Sequence, residues 1–380
     1  MTRDELITRI RAEVAVGLDA GAMLNVYADP ARRRALHERV RAAARSNLSE
    51  NEIASLAAEL FGFGVLQPLL DDERVTDVLV NSAEEIYAER DGVLVRAGVR
   101  FESAAQVTEL AHRIAAGVGR ELTLERPFVD ARMRDGSRAN AVIAPVGGPS
   151  LSIRKFSRLS LPLRGPDPAW TSDGGIPTAA ADLLATAVAA HANVLIVGAT
   201  GAGKSTLLRS LASEISTHER LVVIEDTNEL VLPHPHVVHL EGQAGRESPI
   251  GIADLVANAL RMRPDRIIVG EVRTPREASA LLDALTTGHD GSLTTAHAGS
   301  ALGAIDRLEL LLARAGDSAP AAIRRHVLGA FDLVVHVARA GSKRVVAEIA
   351  AIEDGAVRPL YERSDGRVAA LPLKLRRRLS

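Results

Sequence analysis

Apolar residues recur every three or four positions in the first sixty residues: Leu6, Ile7, Ile10 and Val14, then Ile53, Leu56 and Leu60. That is the helical period. Asp29-Pro30 separates two helices, and Ser49 with Glu52 has the spacing of a capping box opening a third. A helical cap over 1–62 is therefore expected, a packing or docking module with no chemistry of its own. From 63 to 156 the period shortens. Val75–Val80, Ile86–Glu89 and Val93–Arg96 are predicted strands, the last two joined by an Asp91-Gly92 turn. A helix over Ala104–Gly117 follows, then strands around a second turn at Asp135-Gly136, which makes an α+β amino-terminal domain. Pro162, Pro166, Pro168 and Pro177, with Gly165, Gly174 and Gly175 between them, mark 157–177 as a linker.

Past Pro177 the pattern changes to unbroken apolar runs alternating with helix-length segments: VLIVG (194–198), LVVIED (221–226), RIIVGE (266–271), SLTTAH (292–297) and LVVHV (333–337). Continuous apolarity suits strands buried on both faces, so 178–340 is expected to be an α/β domain with a predominantly parallel sheet. Residues 341–380 read as a few added strands with an Asp365-Gly366 turn, ending in a basic, solvated tail (Lys374, Arg376 to Arg378).

Composition narrows the chemistry. The 380 residues carry a formal net charge of −2, are 47% hydrophobic and 25% charged, and include no cysteine. Disulfides, cysteine-ligated metals and thiol nucleophiles are thereby excluded. The amino terminus is charged every few positions, unlike a signal peptide. The most apolar stretch, Ala179 to Ala199, is broken by Asp182 and His191, so a soluble cytoplasmic protein is expected. Balanced charge and 3% aromatic residues leave little for bulk nucleic-acid binding. Only four of the 46 basic residues are lysine, so a lysine in a special context is informative.

Lys204 is in one. Gly198-Ala199-Thr200-Gly201-Ala202-Gly203-Lys204-Ser205 fits the phosphate-binding loop G-x-x-x-x-G-K-[ST] at every fixed position, between a buried strand and a helical pattern. Glycines let backbone N–H groups cradle phosphate, the lysine reaches the β/γ-phosphates and the serine hydroxyl can ligate Mg²⁺. The other core strands each end in a reactive side chain: Glu225 and Asp226, Glu271, and His297. Parallel sheets bind ligands beyond those ends. Glu271 is then the candidate to polarise the attacking water. Glu225, Asp226 and Glu229 would orient Mg²⁺ through its waters, and His297 would report the γ-phosphate. His234, His236 and His239 have no standard metal spacing.

These residues resemble the secretion ATPases of type II and type IV systems, in particular the CpaF/TadA branch that serves tight-adherence (Flp) pili. Beyond the loop, VVIEDTNEL (222–230) looks like that family's Asp box, RMRPDRIIVGEVR (261–273) like its atypical Walker B segment and TTGHDGSLTTAHAGSA (286–301) like its His box. VDARMRDGSRANAV (129–142) and LSIRKF (151–156) are similar to its amino-terminal domain. The resemblance implies a RecA-like core, ATP and Mg²⁺ as ligands, and Thr206 beside Lys204 and Ser205 at the phosphates. It further implies that Arg132, Arg138 and Arg154 reach nucleotide phosphates. A homohexamer on the cytoplasmic face of the inner membrane, attached through a platform protein and without nucleic acid, is the assembly implied. A RecA-like nucleic-acid translocase and an ATP-gated scaffold remain alternatives.

Overall fold

The computed structural model describes residues 3–14, 24, 27, 29–44, 48–156, 162–165, 169–243, 249–316, 319–341 and 343–379. The chain divides into two compact units, Met1–Ser157 and Arg158–Ser380.

In the first unit three helices, α1 (Arg3–Val14), α2 (Pro30–Ala44) and α3 (Glu50–Phe61), share a small core of Ile10, Val14, Leu36, Val40, Ile53, Leu60 and Phe61. Ser49 and Glu52 form the full capping box, each side chain taking the other's backbone N–H. After the short α4 (Gln67–Asp71), six strands form one antiparallel sheet. They are β1 (Val75–Val80), β2 (Ile86–Arg90), β3 (Val93–Arg96), β4 (Phe128–Arg132), β5 (Arg138–Val142) and β6 (Ser150–Arg154), in the spatial order 3-2-1-6-5-4. The single helix α5 (Ala104–Gly117) covers one face with Val107, Leu110 and Ile114. Strands β4 to β6 alternate accordingly: Val129, Ala131, Ala139, Ala141, Leu151 and Ile153 point to the core, and their neighbours to solvent. Asp91 and Gly92 both take positive φ (51° and 78°), as a two-residue hairpin turn requires.

The second unit is built on an eight-stranded sheet. Its strands are β7 (Val194–Val197), β8 (Leu221–Glu225), β9 (Val237–Glu241), β10 (Arg266–Val272), β11 (Leu293–Ala296), β12 (Leu333–Ala340), β13 (Lys343–Glu353) and β14 (Ala356–Glu362). The spatial order is 14-13-12-7-11-10-8-9. From β12 to β9 every neighbour is parallel, whereas β13 and β14 are antiparallel additions. The unbroken apolar runs have the expected cause. Leu195, Val197, Val222, Ile224, Ile267 and Val269 enter one core with α9 (Ile252–Ala259), α10 (Pro275–Thr286), α11 (Ala301–Ala313) and α12 (Pro320–Ala330). Val194, Ile196, Leu221, Val223 and Ile268 enter the opposite one with α7 (Thr178–Ala189) and α8 (Lys204–Ala212).

Two features depart from the sequence reading. Residues 157–161 and 166–168 of the supposed linker lie outside the described residues, but 162–165 and 169–177 do not behave as one. Leu163, Trp170 in the short α6 (Ala169–Ser172) and Ile176 are buried in the second unit's core, and Trp170 Nε1 donates to Ser210 Oγ at 2.8 Å. Nor is the basic carboxyl-terminal segment a solvated tail. Leu371 and Leu375 are buried, and α13 (Leu373–Arg377) is fastened by Lys374 and Arg378, both paired with the buried Asp332. Apolar residues at 371 and 375 drive the docking, and Asp332 neutralises charge that would otherwise oppose it. No helix among the described residues is long and apolar enough to cross a membrane.

Candidate active site

All six parallel strands present their carboxyl ends on one edge of the sheet, and the order 12-7-11-10-8 decides what meets there. The phosphate-binding loop leaves β7, His297 follows β11, Glu271 is on β10, and Glu225 ends β8. Adjacent strands therefore place these groups side by side, although up to 99 positions separate them in sequence (Gly198 to His297).

The loop needs its glycines. A Cβ at position 198 would stand 2.3 Å from the backbone oxygen of Val337, on the neighbouring strand β12. Gly203 has φ +105° directly before α8, which begins at Lys204 with no side-chain cap on its first turn. The uncapped N–H groups and the helix dipole there are suited to an anion. Ser205 is exposed and Thr206 half-buried on that first turn, as phosphate and metal contacts would require. Lys204 is buried; its ammonium donates to the carbonyls of Gly198 (3.1 Å) and Ala199 (3.2 Å) and lies 3.2 Å from His297 Nδ1.

The other ring nitrogen of His297, Nε2, is 2.7 Å from Glu271 Oε1. That oxygen is buried and accepts no well-aligned hydrogen bond. The second oxygen of Glu271 takes a fork from Arg273, Nε at 2.8 Å and Nη2 at 2.6 Å. Arg273 Nη1 reaches on to Asp226 Oδ2 at 3.2 Å. Lys204, His297, Glu271, Arg273 and Asp226 thus form one continuous chain of charged and polar contacts across the ends of four strands, β7, β11, β10 and β8.

Glu225 sits differently from the expectation that it faces Mg²⁺. It is buried, and its carboxylate accepts the backbone N–H of Glu229 and of Leu230, all at 3.1 Å. A Cβ on Gly270 would come within 2.9 Å of Glu225 Cγ, so the bare backbone of β10 makes room for this side chain. Glu225 anchors the loop after β8, and Glu229 contributes a main-chain donor to that anchor. The site's oxygen groups suit a magnesium triphosphate: the hydroxyl of the exposed Ser205, a carboxylate at Asp226 and the Glu271 oxygen without an aligned donor. His234 and His236 are engaged elsewhere, with the carbonyl of Ser216 (2.9 Å) and with Arg220 (2.8 Å).

In the first unit the register of the sheet assembles the three arginines. Arg132 is opposite Arg138, and Arg138 is opposite Arg154, so they form a row across β4, β5 and β6. Directly opposed residues share a face, here the solvent face. Arg138 is paired with Asp130 at 3.2 Å. The row continues to Asp77, which is opposite Arg154 on β1, so three arginines share this face with two carboxylates, those of Asp77 and Asp130.

Sequence reasoning missed three arginines that buttress the site. Arg273 appeared only as the last letter of a motif. Arg339 Nε donates to the Gly201 carbonyl at 3.0 Å, and the Arg344 side chain packs so closely on Gly203 that a Cβ there would lie 2.6 Å from its Cδ. Arg339 and Arg344 are register partners on β12 and β13, a placement that no local signal reveals among 42 arginines.

The family model of the type II/IV secretion system protein matches residues 59–351. A Mycobacterium tuberculosis protein named for conjugal transfer is 38% identical over 329 residues, 83% of this chain and 89% of its own. The type IV secretion system protein VirB11 of Brucella suis is 31% identical over 79% of this chain and 92% of its own. In fold, the X-ray structure of the Legionella pneumophila ATPase DotB is similar with a TM-score of 0.56, at 24% identity over 75% of this chain and 79% of that one. A phosphate-binding loop, with a lysine, a histidine and a glutamate drawn together by neighbouring parallel strands, is what an enzyme that cleaves a nucleoside triphosphate needs, and the chain belongs to the type II/IV secretion system protein family.

Proposed function

We propose that the protein is a Mg-ATP-driven motor with a RecA-like core, of the CpaF/TadA branch, acting as a homohexamer at the cytoplasmic face of the inner membrane on the platform protein of a pilus or secretion system. The observation that carries the catalytic part is the contact of His297 with both Lys204 and Glu271. Lys204 exchanges the carbonyls of Gly198 and Ala199 for phosphate oxygens, a small movement of a flexible side chain. The uncapped first turn of α8 and the glycine loop hold the remaining phosphate charge.

Ser205 would hold Mg²⁺ directly and Asp226 through its waters, while Glu225 keeps the intervening loop in place. When bound, the metal supplies charge neutralisation at the β- and γ-oxygens. Glu271 Oε1, which has His297 Nε2 at 2.7 Å but no aligned donor, orients the attacking water. His297 couples that carboxylate to the lysine, so it senses whether a γ-phosphate is present. The row of Arg132, Arg138 and Arg154 is the proposed further source of positive charge for the phosphates.

Steady-state hydrolysis by Lys204→Ala and Glu271→Gln tests the reading. Both are expected to lose turnover, the second while still binding ATP; wild-type turnover in either would overturn it. Stimulation of turnover by single-stranded DNA or RNA, with steep salt dependence, would instead point to a nucleic-acid translocase.

A further inference from the structure

We infer that Arg273 is a positioning residue for catalysis: it selects which oxygen of Glu271 faces the attacking water. The inference rests on the hydrolytic reading of the site given above. Arg273 lies just beyond the end of β10, where its backbone N–H donates to Glu277 Oε2 at 2.7 Å. Glu277 is also the reciprocal partner of Thr274 in the capping box of α10, so this corner of the chain is pinned to the start of a helix. From that fixed point the guanidinium makes two different attachments. Its Nε and Nη2 fork grips Glu271 Oε2, and its Nη1 reaches Asp226 across β8.

A carboxylate rotates about its last bond with a broad, two-fold preference, so its two oxygens are otherwise interchangeable. The fork removes that equivalence. Oε2 is occupied by a planar, bidentate donor, and Oε1 is left buried toward His297 with no aligned hydrogen bond. Oε1, beside His297 Nε2 but without an aligned donor, is the oxygen left to take a hydrogen bond from water. The second arm on Asp226 stops the guanidinium from following the carboxylate if it turns. The partners of the guanidinium are Glu271 and Asp226, neither of them in the phosphate-binding loop, so its effect is expected on the chemical step more than on nucleotide capture.

The test compares Arg273→Ala, Arg273→Lys and Arg273→Gln with wild type in steady-state ATP hydrolysis, with nucleotide affinity measured separately by a fluorescent ATP analogue. Arg273→Ala is expected to lower kcat by about 10- to 100-fold, the scale of a misplacement of about 1 Å at a reacting group, with KM and analogue affinity within about twofold. Arg273→Lys is expected to recover part of the loss, because it restores charge without the fork. Arg273→Gln, which keeps much of the side-chain stem, carries the test if the alanine variant does not fold. Unchanged kcat in the alanine or glutamine variant would overturn the assignment, as would a loss of affinity parallel to the loss of kcat. Lys204→Ala run alongside separates the two levels: hydrolysis that survives it refutes the site itself, whereas hydrolysis abolished by it but indifferent to Arg273 refutes only the positioning role.

Discussion

His297 Nε2 lies 2.7 Å from Glu271 Oε1, while the opposite nitrogen of the same ring is 3.2 Å from Lys204 Nζ. One imidazole thus spans the group that binds phosphate and the group that handles water. It can do so only because β11 is threaded between β7 and β10. His297→Ala should therefore cut kcat by about 10²-fold, the lower end of what a positioned acid–base group contributes, and leave ATP affinity nearly intact. A single-turnover measurement with saturating ATP checks this.

Gly198 has no space for a side chain. Alanine there would push its Cβ to 2.3 Å from the Val337 carbonyl, a backbone atom just past the last β7–β12 register pair and held by β13, which cannot give way cheaply. Gly198→Ala is expected to abolish ATP binding and to cost about 1–3 kcal/mol of stability, typical of overpacking. Titration with a fluorescent nucleotide, beside a thermal melt, reads both effects.

Arg266 is the largest fully buried side chain, and its charge is met by Glu219 at 2.6 and 2.9 Å, with the Val188 carbonyl accepting a further bond at 2.8 Å. Burial raises the Glu219 pKa, but the Arg266 hydrogen bonds and charge outweigh it and hold the carboxyl below its ordinary value. Because the folded value is the lower one, the pair stabilises the fold fully above the ordinary glutamate range and loses that contribution as pH falls through the lowered value. Glu219→Ala strands a buried guanidinium and should cost about 3–5 kcal/mol at neutral pH, measured by urea denaturation. The difference from wild type should shrink on acidification.

Asp332 accepts from the backbone N–H of Asn193 at 2.9 Å and pairs with Lys374 and Arg378. Asp332→Ala should loosen α13 before the rest of the unit unfolds, since Leu375, Leu371 just ahead of the helix and the contacts of Arg378 with the His191 carbonyl and Asp290 are then what holds it. Limited proteolysis should then cleave near 370 in the variant and spare the wild type.

The arginine row makes the opposite prediction for stability. Arg154 is exposed and stands between Arg138 on β5 and Asp77 on β1, so Arg154→Ala removes one repulsive and one attractive neighbour and should leave the melting temperature nearly unchanged. If the row serves the phosphates, the same variant lowers ATP turnover. A variant that loses stability without losing turnover would show the row to be structural.

Much of this was legible in the chain. Ser49 and Glu52 announce their capping box because both partners are three residues apart, and Asp91-Gly92 announces its hairpin because few other pairs accept two positive φ angles. The two-sided burial of Val194 to Val197 and Leu221 to Ile224 was readable for a similar reason: an uninterrupted apolar run has no solvent face to offer. The commitment of Glu225 to loop amides was not, because an acidic residue at a strand end looks the same whether it faces a cation or a backbone N–H. Leu371 and Leu375 escaped notice because two apolar residues among basic ones carry no period.

By itself, the sequence determined the local conformations and the identity of the phosphate loop, since turn stereochemistry, helix capping and the glycine-lysine spacing all act over a few residues. Only the tertiary structure decided that His297 and Glu271 meet at Lys204, that Arg273 ties Glu271 to Asp226, and that Arg132, Arg138 and Arg154 align. Those relations depend on strand order and register, which the packing of both sheet faces fixes collectively and which no short stretch of chain encodes.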